Sequence, residues 1–284
     1  MRIILRILLP LIIGILVATI MHFTIRWWVF WIIFPYIGFS ITTGNFIRFI
    51  LKGRKKLVGR KIAILMVLPC LLLFVPIINH ENFQLGGVFL LILIGFFGKG
   101  VIHYAVAKIF GPLIWGRGFC GWACWNAAIF DWLPITGKKK DIPKNAWNFR
   151  YISLFISLLI PVYLIFVLNY NVYENYLHKI EMLWMFAGNA LYYAIGIPLA
   201  FIYKDKRAFC KLVCPVALVM KPTSTVSLIK IKPKQNDCIE CGACNKICPM
   251  DIDVMSFIKE RKPIAHTECI LCSDCRIVCP VNAI

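Results

Sequence analysis

The sequence is poor in charged residues and poorest in acidic ones. Only 16% of its 284 residues are charged, and 13 Asp and Glu side chains stand against 32 Lys and Arg. Hydrophobic residues make up 60% of the chain, and the mean hydropathy is +0.77. This composition excludes an ordinary soluble domain, and several apolar runs reach the roughly 20 residues that a membrane-spanning helix needs. We therefore expect the lipid bilayer to be a partner of this chain.

The excess of positive charge belongs to the apolar part of the chain, where acidic residues are scarcest, and this location argues against a nucleic-acid partner. Residues 1–227 contain 24 Lys and Arg but only 6 Asp and Glu, whereas residues 228–284 contain 8 and 7. The positive excess lies in the loops between apolar runs, where it orients a membrane protein. We predict that the chain binds no nucleic acid.

The first apolar run lacks a small-residue cleavage site before a polar segment, which favours a retained span over a signal peptide. Six apolar runs are predicted to be transmembrane helices: 5–23, 27–50, 62–79, 85–110, 151–168 and 183–203. Every second connecting segment is rich in Lys and Arg, and these segments share one side with both termini. The positive-inside rule then predicts a multi-pass protein of the inner (cytoplasmic) membrane with both termini in the cytoplasm.

Twelve of the thirteen cysteines fall in tight local clusters. Two runs of four, each followed by proline, have the bacterial-ferredoxin spacing C-x2-C-x2-C-x3-C-P, in which the fourth cysteine binds the neighbouring cluster. Zinc ribbons are the alternative, but zinc sites favour two separated cysteine pairs. The spacing predicts two 4Fe-4S clusters, the iron of one bound by Cys238, Cys241, Cys244 and Cys279, and that of the other by Cys269, Cys272, Cys275 and Cys248.

These features predict a mainly α-helical membrane protein in two parts. We expect about six transmembrane helices in residues 1–227 and a small α+β ferredoxin domain with two 4Fe-4S clusters in residues 228–284. A two-cluster domain passes electrons, so we expect other redox proteins as partners.

Two further cysteine pairs, Cys120 with Cys124 and Cys210 with Cys214, have C-x3-C spacing. On a helix, positions i and i+4 share one face, so each pair can present two thiols together. Three interpretations stay open: a soft-metal or further cofactor site, two redox-active dithiol pairs, or structural thiols beneath the tail. The thirteenth cysteine, Cys70, stands alone in an apolar run and is interpreted as a packed or lipid-facing residue.

Lys99 and His103 are ionisable residues inside the fourth apolar run. Such residues are costly within a membrane, and a quinone or proton site is one interpretation. In the other, Lys99 extends to the membrane surface while His103 bonds a neighbouring helix. No nucleophile–base constellation and no phosphate-binding loop is visible in the sequence.

The order of these motifs resembles the NapH/MauN family of membrane ferredoxin-type proteins, which is related to the membrane portions of NosR and of the CcoG/RdxA proteins. In that family a multi-span domain carries two C-x3-C-P motifs and is followed by two 4Fe-4S motifs. The resemblance covers nearly the whole chain, although Trp125 stands where the first pair should be followed by proline.

The resemblance implies an electron-transfer subunit of an oxidoreductase system, and a component of a quinol dehydrogenase is one interpretation of it. It would relay electrons between quinol, or a cytosolic donor, and a partner redox enzyme. It also carries over to Cys120, Cys124, Cys210 and Cys214 as the paired-motif cysteines and to the eight tail cysteines as cluster ligands. Two alternatives remain: a CcoG-like reductase of a metal such as copper that assists assembly, and a membrane redox sensor.

Overall fold

The computed structural model describes residues 2–80, 82–97, 99–172, 174, 179–234 and 237–284. Helices dominate, because the apolar runs contain few residues that interrupt a helix other than proline and glycine at isolated positions. The first part of the chain forms α1 Arg2–Ile25, α2 Phe30–Ile50, α3 Leu57–Leu68, α4 Val75–Asn79, α5 Leu85–Leu93, α6 Lys99–Tyr104, α7 Gly111–Trp115, α8 Gly118–Trp122 and α9 Trp125–Trp132. The second part forms α10 Phe149–Phe166, α11 Ile180–Tyr203, α12 Ala208–Leu212, α13 Val216–Val219, α14 Lys221–Thr225, α15 Ala243–Ile247, α16 Val254–Lys259 and α17 Asp274–Val278.

Five helices in the described residues are long and apolar enough to cross a membrane. Two of them correspond to α1 and α2, the third joins α3 and α4 through a π-helical stretch, Pro69–Phe74, and the others contain α10 and α11. Their bounds are Ile3–Ile25, Phe30–Ile50, Gly53–Ile78, Lys144–Phe166 and Ile180–Tyr203. The prediction of a mainly helical protein with several apolar spans is confirmed for these five.

The predicted fourth span, 85–110, is wrong as a single helix. Gly95, with a φ of +72°, ends α5. The Phe96 N–H donates to the Leu91 carbonyl at 2.9 Å and the Gly95 N–H to the Ile92 carbonyl at 3.0 Å, which is the Schellman arrangement. A second apolar helix, Gly100–Trp115, follows the break. The expected six continuous spans are therefore five in the described part of the chain.

The predicted α+β character of residues 228–284 is not observed, since no residue described there lies in a strand. Two isolated backbone hydrogen bonds link distant parts of this segment. The Ile264 N–H donates to the Ile231 carbonyl at 2.8 Å, and the Lys234 N–H donates to the Ala283 carbonyl at 2.9 Å. Pro233, between these two positions, has no N–H to extend them into a ladder. The tail instead packs its three short helices α15, α16 and α17 around buried isoleucines.

Candidate functional site

The eight tail cysteines line two cavities of similar size. One holds about 340 Å³ of space between its walls, including the part open to solvent, and the other about 330 Å³. The cysteines around the first are Cys238, Cys241, Cys244 and Cys279. Those around the second are Cys248, Cys269, Cys272 and Cys275. The structure thus brings together each of the two sets that the ferredoxin spacing pairs, including the crossed fourth cysteine.

Both cavities are built by the same backbone path, repeated 31 residues later. Left-handed residues flank the second cysteine of each run: Glu240 and Gly242 beside Cys241, with φ of +55° and +68°, and Leu271 and Ser273 beside Cys272, with φ of +50° and +59°. Such alternation turns backbone N–H groups toward one concave side, an arrangement that binds anionic groups, iron–sulfur centres among them. The third cysteine of each run then lies in a short helix, α15 or α17.

The donor set of each cavity fits a 4Fe-4S cluster. Four thiols surround each cavity, and a cubane takes one thiolate per iron, so the sulfurs must stand apart rather than converge on one point. The Ala283 N–H also donates to Cys279 Sγ at 3.2 Å.

The two C-x3-C pairs occupy equivalent positions in a second repeat, with an offset of 90 residues. Cys120 and Cys210 are each the third residue of a five-residue helix, α8 and α12. An arginine precedes each helix, Arg117 in one repeat and Arg207 in the other, and both are almost fully buried. These arginines were missed in the sequence analysis, although the shared pattern Arg-x-Phe-Cys-x3-Cys was there to be found.

The two pairs lie against each other. Arg207, beside the second pair, donates from Nη1 to the carbonyl of Cys120 at 3.0 Å. Cys120 Sγ lies 3.7 Å from the sulfur of Met220, which follows the second pair. Burial raises the pKa of the Cys210 thiol to about 11, against the effect of Arg207, with Cys124 and Cys120 adding to the rise. The two segments are therefore neighbours, with Cys210 buried and Cys120, Cys124 and Cys214 partly buried.

A buried lysine faces the same thiols. Lys108 is 5% exposed, and its Nζ lies 2.9 Å from the ring centroid of Phe119 and 5.3 Å from that of Trp125. Burial raises the pKa of the Cys124 thiol, and the Lys108 ammonium is the main effect that opposes this rise. The sequence analysis did not single out Lys108, because hydropathy alone cannot show which residues its helix meets.

Carboxylates fasten the tail to the rest of the chain. Glu268 accepts from Arg117 and, at 2.9 and 3.1 Å, from Arg150, and Lys221 Nζ lies 3.0 Å from it. Asp274 pairs with Arg48 at 2.9 Å. One buried carboxylate, Glu268, thus compensates three cations from residues 1–227.

A second buried carboxylate, Asp131, holds two arginines beneath the tail. Arg207 binds it with two hydrogen bonds, of 2.7 and 3.1 Å, and Arg60 with one of 2.7 Å. Burial alone would raise the pKa of Asp131, but Arg207 and Arg60 outweigh it and hold the pKa below its usual range. The Arg60 guanidinium also lies 3.4 Å from the Asp274 carboxylate, so Asp131 and Asp274 belong to one network of ion pairs.

The first C-x3-C segment touches the loop of the second cavity through its backbone. A Cβ built on Gly121 would lie 2.1 Å from the carbonyl oxygen of Ile270, and Trp122 Nε1 donates to Leu271 at 3.0 Å. Only glycine allows this approach. The first cysteine pair therefore abuts the loop that carries Cys269 and Cys272.

Replacing Gly121 by alanine should loosen this contact, because the new methyl group meets a backbone oxygen that cannot rotate away. We expect a loss of about 1–3 kcal/mol in stability, typical of overpacking, seen as a lower unfolding temperature and faster proteolysis of the tail. Gly118→Ala in the same helix is the matched control, since its Cβ would meet no atom closer than 3.4 Å. Equal effects of the two substitutions would contradict this account.

The remaining predicted residues lie elsewhere. His103 is buried between Phe34 and Phe83, with ring centroids 6.1 and 6.0 Å away, and its Nδ1 has no hydrogen-bond partner in the described part of the chain. Lys99 begins α6, but its side chain lies outside the described residues. Cys70 is buried in an apolar cluster. A quinone or proton site at Lys99 and His103 stays a prediction.

A family profile described as a 4Fe-4S binding domain matches residues 104–143 and 186–233, the two segments that contain the C-x3-C pairs. The chain is 29% identical over 171 residues to "Putative electron transport protein YccM" of Escherichia coli (strain K12), covering 55% of this chain and 48% of that protein. No solved structure matches the chain.

Two further relatives match different shares of the chain. Identity to an uncharacterized protein of Methanocaldococcus jannaschii, MJ0750, is 27% over 221 residues, covering 72% of this chain and 89% of that protein. Identity to the methylamine utilization ferredoxin-type protein MauN of Paracoccus denitrificans is 26% over 147 residues, about half of each chain. The chain thus spans about half the length of YccM and of MauN. Together with the 4Fe-4S profile, these relatives confirm the predicted resemblance to the NapH/MauN type of membrane ferredoxin, a family of iron–sulfur electron-transport proteins.

Proposed function

We propose that this chain is a multi-pass membrane protein that relays electrons through two 4Fe-4S clusters in residues 228–284. The observation that supports this most strongly is the pair of cavities, each lined by four cysteines. The iron–sulfur relatives support the same chemistry at a coarser level.

When bound, a 4Fe-4S cluster supplies a centre that takes up and releases one electron at a time. The chain's own residues would bind it through four thiolates and direct backbone N–H groups at its sulfurs, which tunes its reduction potential. Buried isoleucines, Ile252, Ile264 and Ile270 among them, line the second cavity and exclude water from it. Cys241, at the first cavity, is exposed and offers an edge where a soluble partner can approach.

Loop charge supports the orientation that we propose, with both termini and the tail in the cytoplasm. Lys and Arg cluster in residues 52–61 and 138–150, on the side where the tail is fastened. The electron donor would be quinol or a cytosolic protein, and the acceptor a separate redox enzyme. Reduction of a metal such as copper, or redox sensing without turnover, are the competing functions.

The test is quinol-driven reduction in proteoliposomes that contain the full chain. We expect the visible absorbance of the clusters to bleach when quinol is added, and to bleach only in part in Cys272→Ala, because one of the two clusters would be missing. Bleaching with a soluble reductant but not with quinol would point to a cytosolic donor. Absence of cluster absorbance in anaerobically purified wild-type protein would contradict the proposal.

A further inference from the structure

We propose that a third pocket, between the tail and residues 1–227, binds the headgroup of an anionic phospholipid. This junction pocket holds about 250 Å³ of space between its walls, including the part open to solvent. Its lining includes Gly116, Ser224 and Ser227 on one side and Lys230, His266 and Cys269 on the other. The proposal rests on the membrane placement in the proposed function but not on its two clusters.

The polar lining of the junction pocket is suited to phosphate oxygens. The Lys230 ammonium bonds the Thr225 carbonyl at 3.4 Å and pairs with no carboxylate among the residues that the structure describes. The Glu268 N–H donates to His266 Nδ1 at 3.1 Å, so the neutral imidazole carries its proton on Nε2. An ammonium, an imidazole N–H and the Ser227 hydroxyl therefore line one pocket. Phosphate oxygens accept hydrogen bonds from all three kinds of donor, and most strongly from the charged one.

Positive charge beside the junction pocket exceeds negative charge. The buried carboxylate of Glu268 immediately precedes Cys269 of the lining. It is shared by three cations, Arg117, Arg150 and Lys221. Lys230 adds a fourth positive charge, and one carboxylate offsets only one of the four. Because unbalanced charge is costly where it is partly withdrawn from water, the pocket favours an anionic occupant.

The excess of positive charge also acts on His266 in the pocket wall. Burial lowers the pKa of His266, and Glu268 opposes this effect. Three cations from residues 1–227 lower that pKa further: Lys144, Lys221 and Arg117. The cations around Glu268 are therefore close enough to the pocket to attract a negative ligand.

An apolar strip, formed by Val226, Leu228 and Ile229, lies beside the junction pocket, and all three side chains are exposed. The Leu228 N–H donates to the Leu113 carbonyl at 3.0 Å, and the Ile229 N–H donates to the Ile114 carbonyl at 2.8 Å. The strip therefore runs along the last residues of the apolar helix Gly100–Trp115. A contiguous exposed apolar strip with a lysine at its end is typical of a segment at a membrane surface.

A phospholipid fits both halves of this arrangement. Its phosphate would accept from the donors of the junction pocket, and its acyl chains would lie along the apolar strip. A free phosphate ion would use the pocket alone, and a quinone headgroup carries no charge to offset the cations. Since basic residues next to a membrane span attract anionic lipids, we assign the site to an anionic headgroup of the surrounding bilayer.

A lipid in the junction pocket would bridge the two parts of the chain. Gly116 and Ser227 belong to residues 1–227, whereas His266 and Cys269 belong to the tail. The lipid would therefore help to hold the tail against the membrane, on the side of the second tail cavity, of which Cys269 is also a part.

Native mass spectrometry of the full chain in neutral detergent tests the proposal, with phosphatidylglycerol and phosphatidylcholine of the same acyl chains as probes. We expect the wild type to retain one phosphatidylglycerol per chain at concentrations at which phosphatidylcholine is not retained. Lys230→Ala should weaken this retention about fivefold, which corresponds to about 1 kcal/mol for one lysine at an anionic surface. Lys230→Arg should keep it. Lys246→Ala is the matched control, because Lys246 is an exposed lysine of the same tail that does not line the pocket.

Equal retention of the two lipids by the wild type would overturn the proposal, as would unchanged retention in Lys230→Ala. Displacement of phosphatidylglycerol by an equal concentration of inorganic phosphate would overturn it too, since the pocket would then bind a free anion. So would retention of a quinone in its place. The unfolding temperature of Lys230→Ala without added lipid should equal that of the wild type, which shows that the variant is folded. Lipid retention is counted apart from cluster absorbance, so this proposal and the electron relay can fail independently.

Discussion

Asp131→Asn is expected to destabilise the protein by about 3–5 kcal/mol, the range observed when one partner of a buried ion pair is removed. The Asp131 side chain is 5% exposed, and its two partners, Arg60 and Arg207, are 5% and 1% exposed. Without the carboxylate, two guanidiniums face each other in a buried environment. Asn keeps the shape of the side chain but supplies no charge.

Thermal unfolding in detergent micelles measures this loss. Asp141→Asn is the matched control, because Asp141 is exposed and its loss should change stability by less than about 0.5 kcal/mol. A double variant, Asp131→Asn with Arg60→Met, should recover part of the stability, since one uncompensated charge is gone. An unfolding temperature of Asp131→Asn equal to that of Asp141→Asn would show that the network contributes nothing.

Glu268→Gln is expected to release the tail. Its carboxylate is 4% exposed and compensates Arg117, Arg150 and Lys221, so neutralising it leaves three cations without their shared partner. We expect a loss of about 3 kcal/mol or more, seen as rapid proteolysis within residues 228–284. Glu260→Gln, at an exposed position of the same tail, is the control and should leave the proteolysis rate unchanged.

The same carboxylate predicts a dependence on pH. Burial would raise the pKa of Glu268, but Arg117, with Arg150 and Lys221, overcomes this and lowers it to about 2. Because the folded-state pKa lies below the unfolded value of about 4.3, the stabilisation is fully present above that value and is lost as pH falls toward 2. The stability difference between wild type and Glu268→Gln should therefore stay constant from pH 8 to pH 5. A difference that shrinks within that range would contradict the assignment.

The repeated spacing of the tail cysteines predicts two sets, each a short run plus one crossed cysteine, and the same eight residues line the two cavities. That each set holds a cluster stays a prediction. The prediction of a continuous fourth span was wrong for a local reason. Counting apolar residues ignores the left-handed Gly95 that ends α5, although glycine is a common signal for a helix end.

The environment of the C-x3-C pairs could not be predicted in the same way. Lys108, Arg207 and Glu268 lie far apart in the chain. In the sequence Arg207 and Glu268 look like ordinary loop or surface charges, and Lys108 looks like a charge near the end of a predicted span. Only tertiary packing shows that these charges are buried together. The repeat of an arginine three residues before each pair was visible, and comparison of the two segments would have found it.

The measurement that tests the central claim most directly is the EPR spectrum and iron content of reduced Cys248→Ala and Cys279→Ala, compared with Cys272→Ala and Cys241→Ala. If the fourth cysteines are crossed between two 4Fe-4S clusters, Cys248→Ala should lose the same component as Cys272→Ala. Cys279→Ala should lose the same component as Cys241→Ala. Spectra and iron content equal to those of the wild type in all four variants would contradict the account.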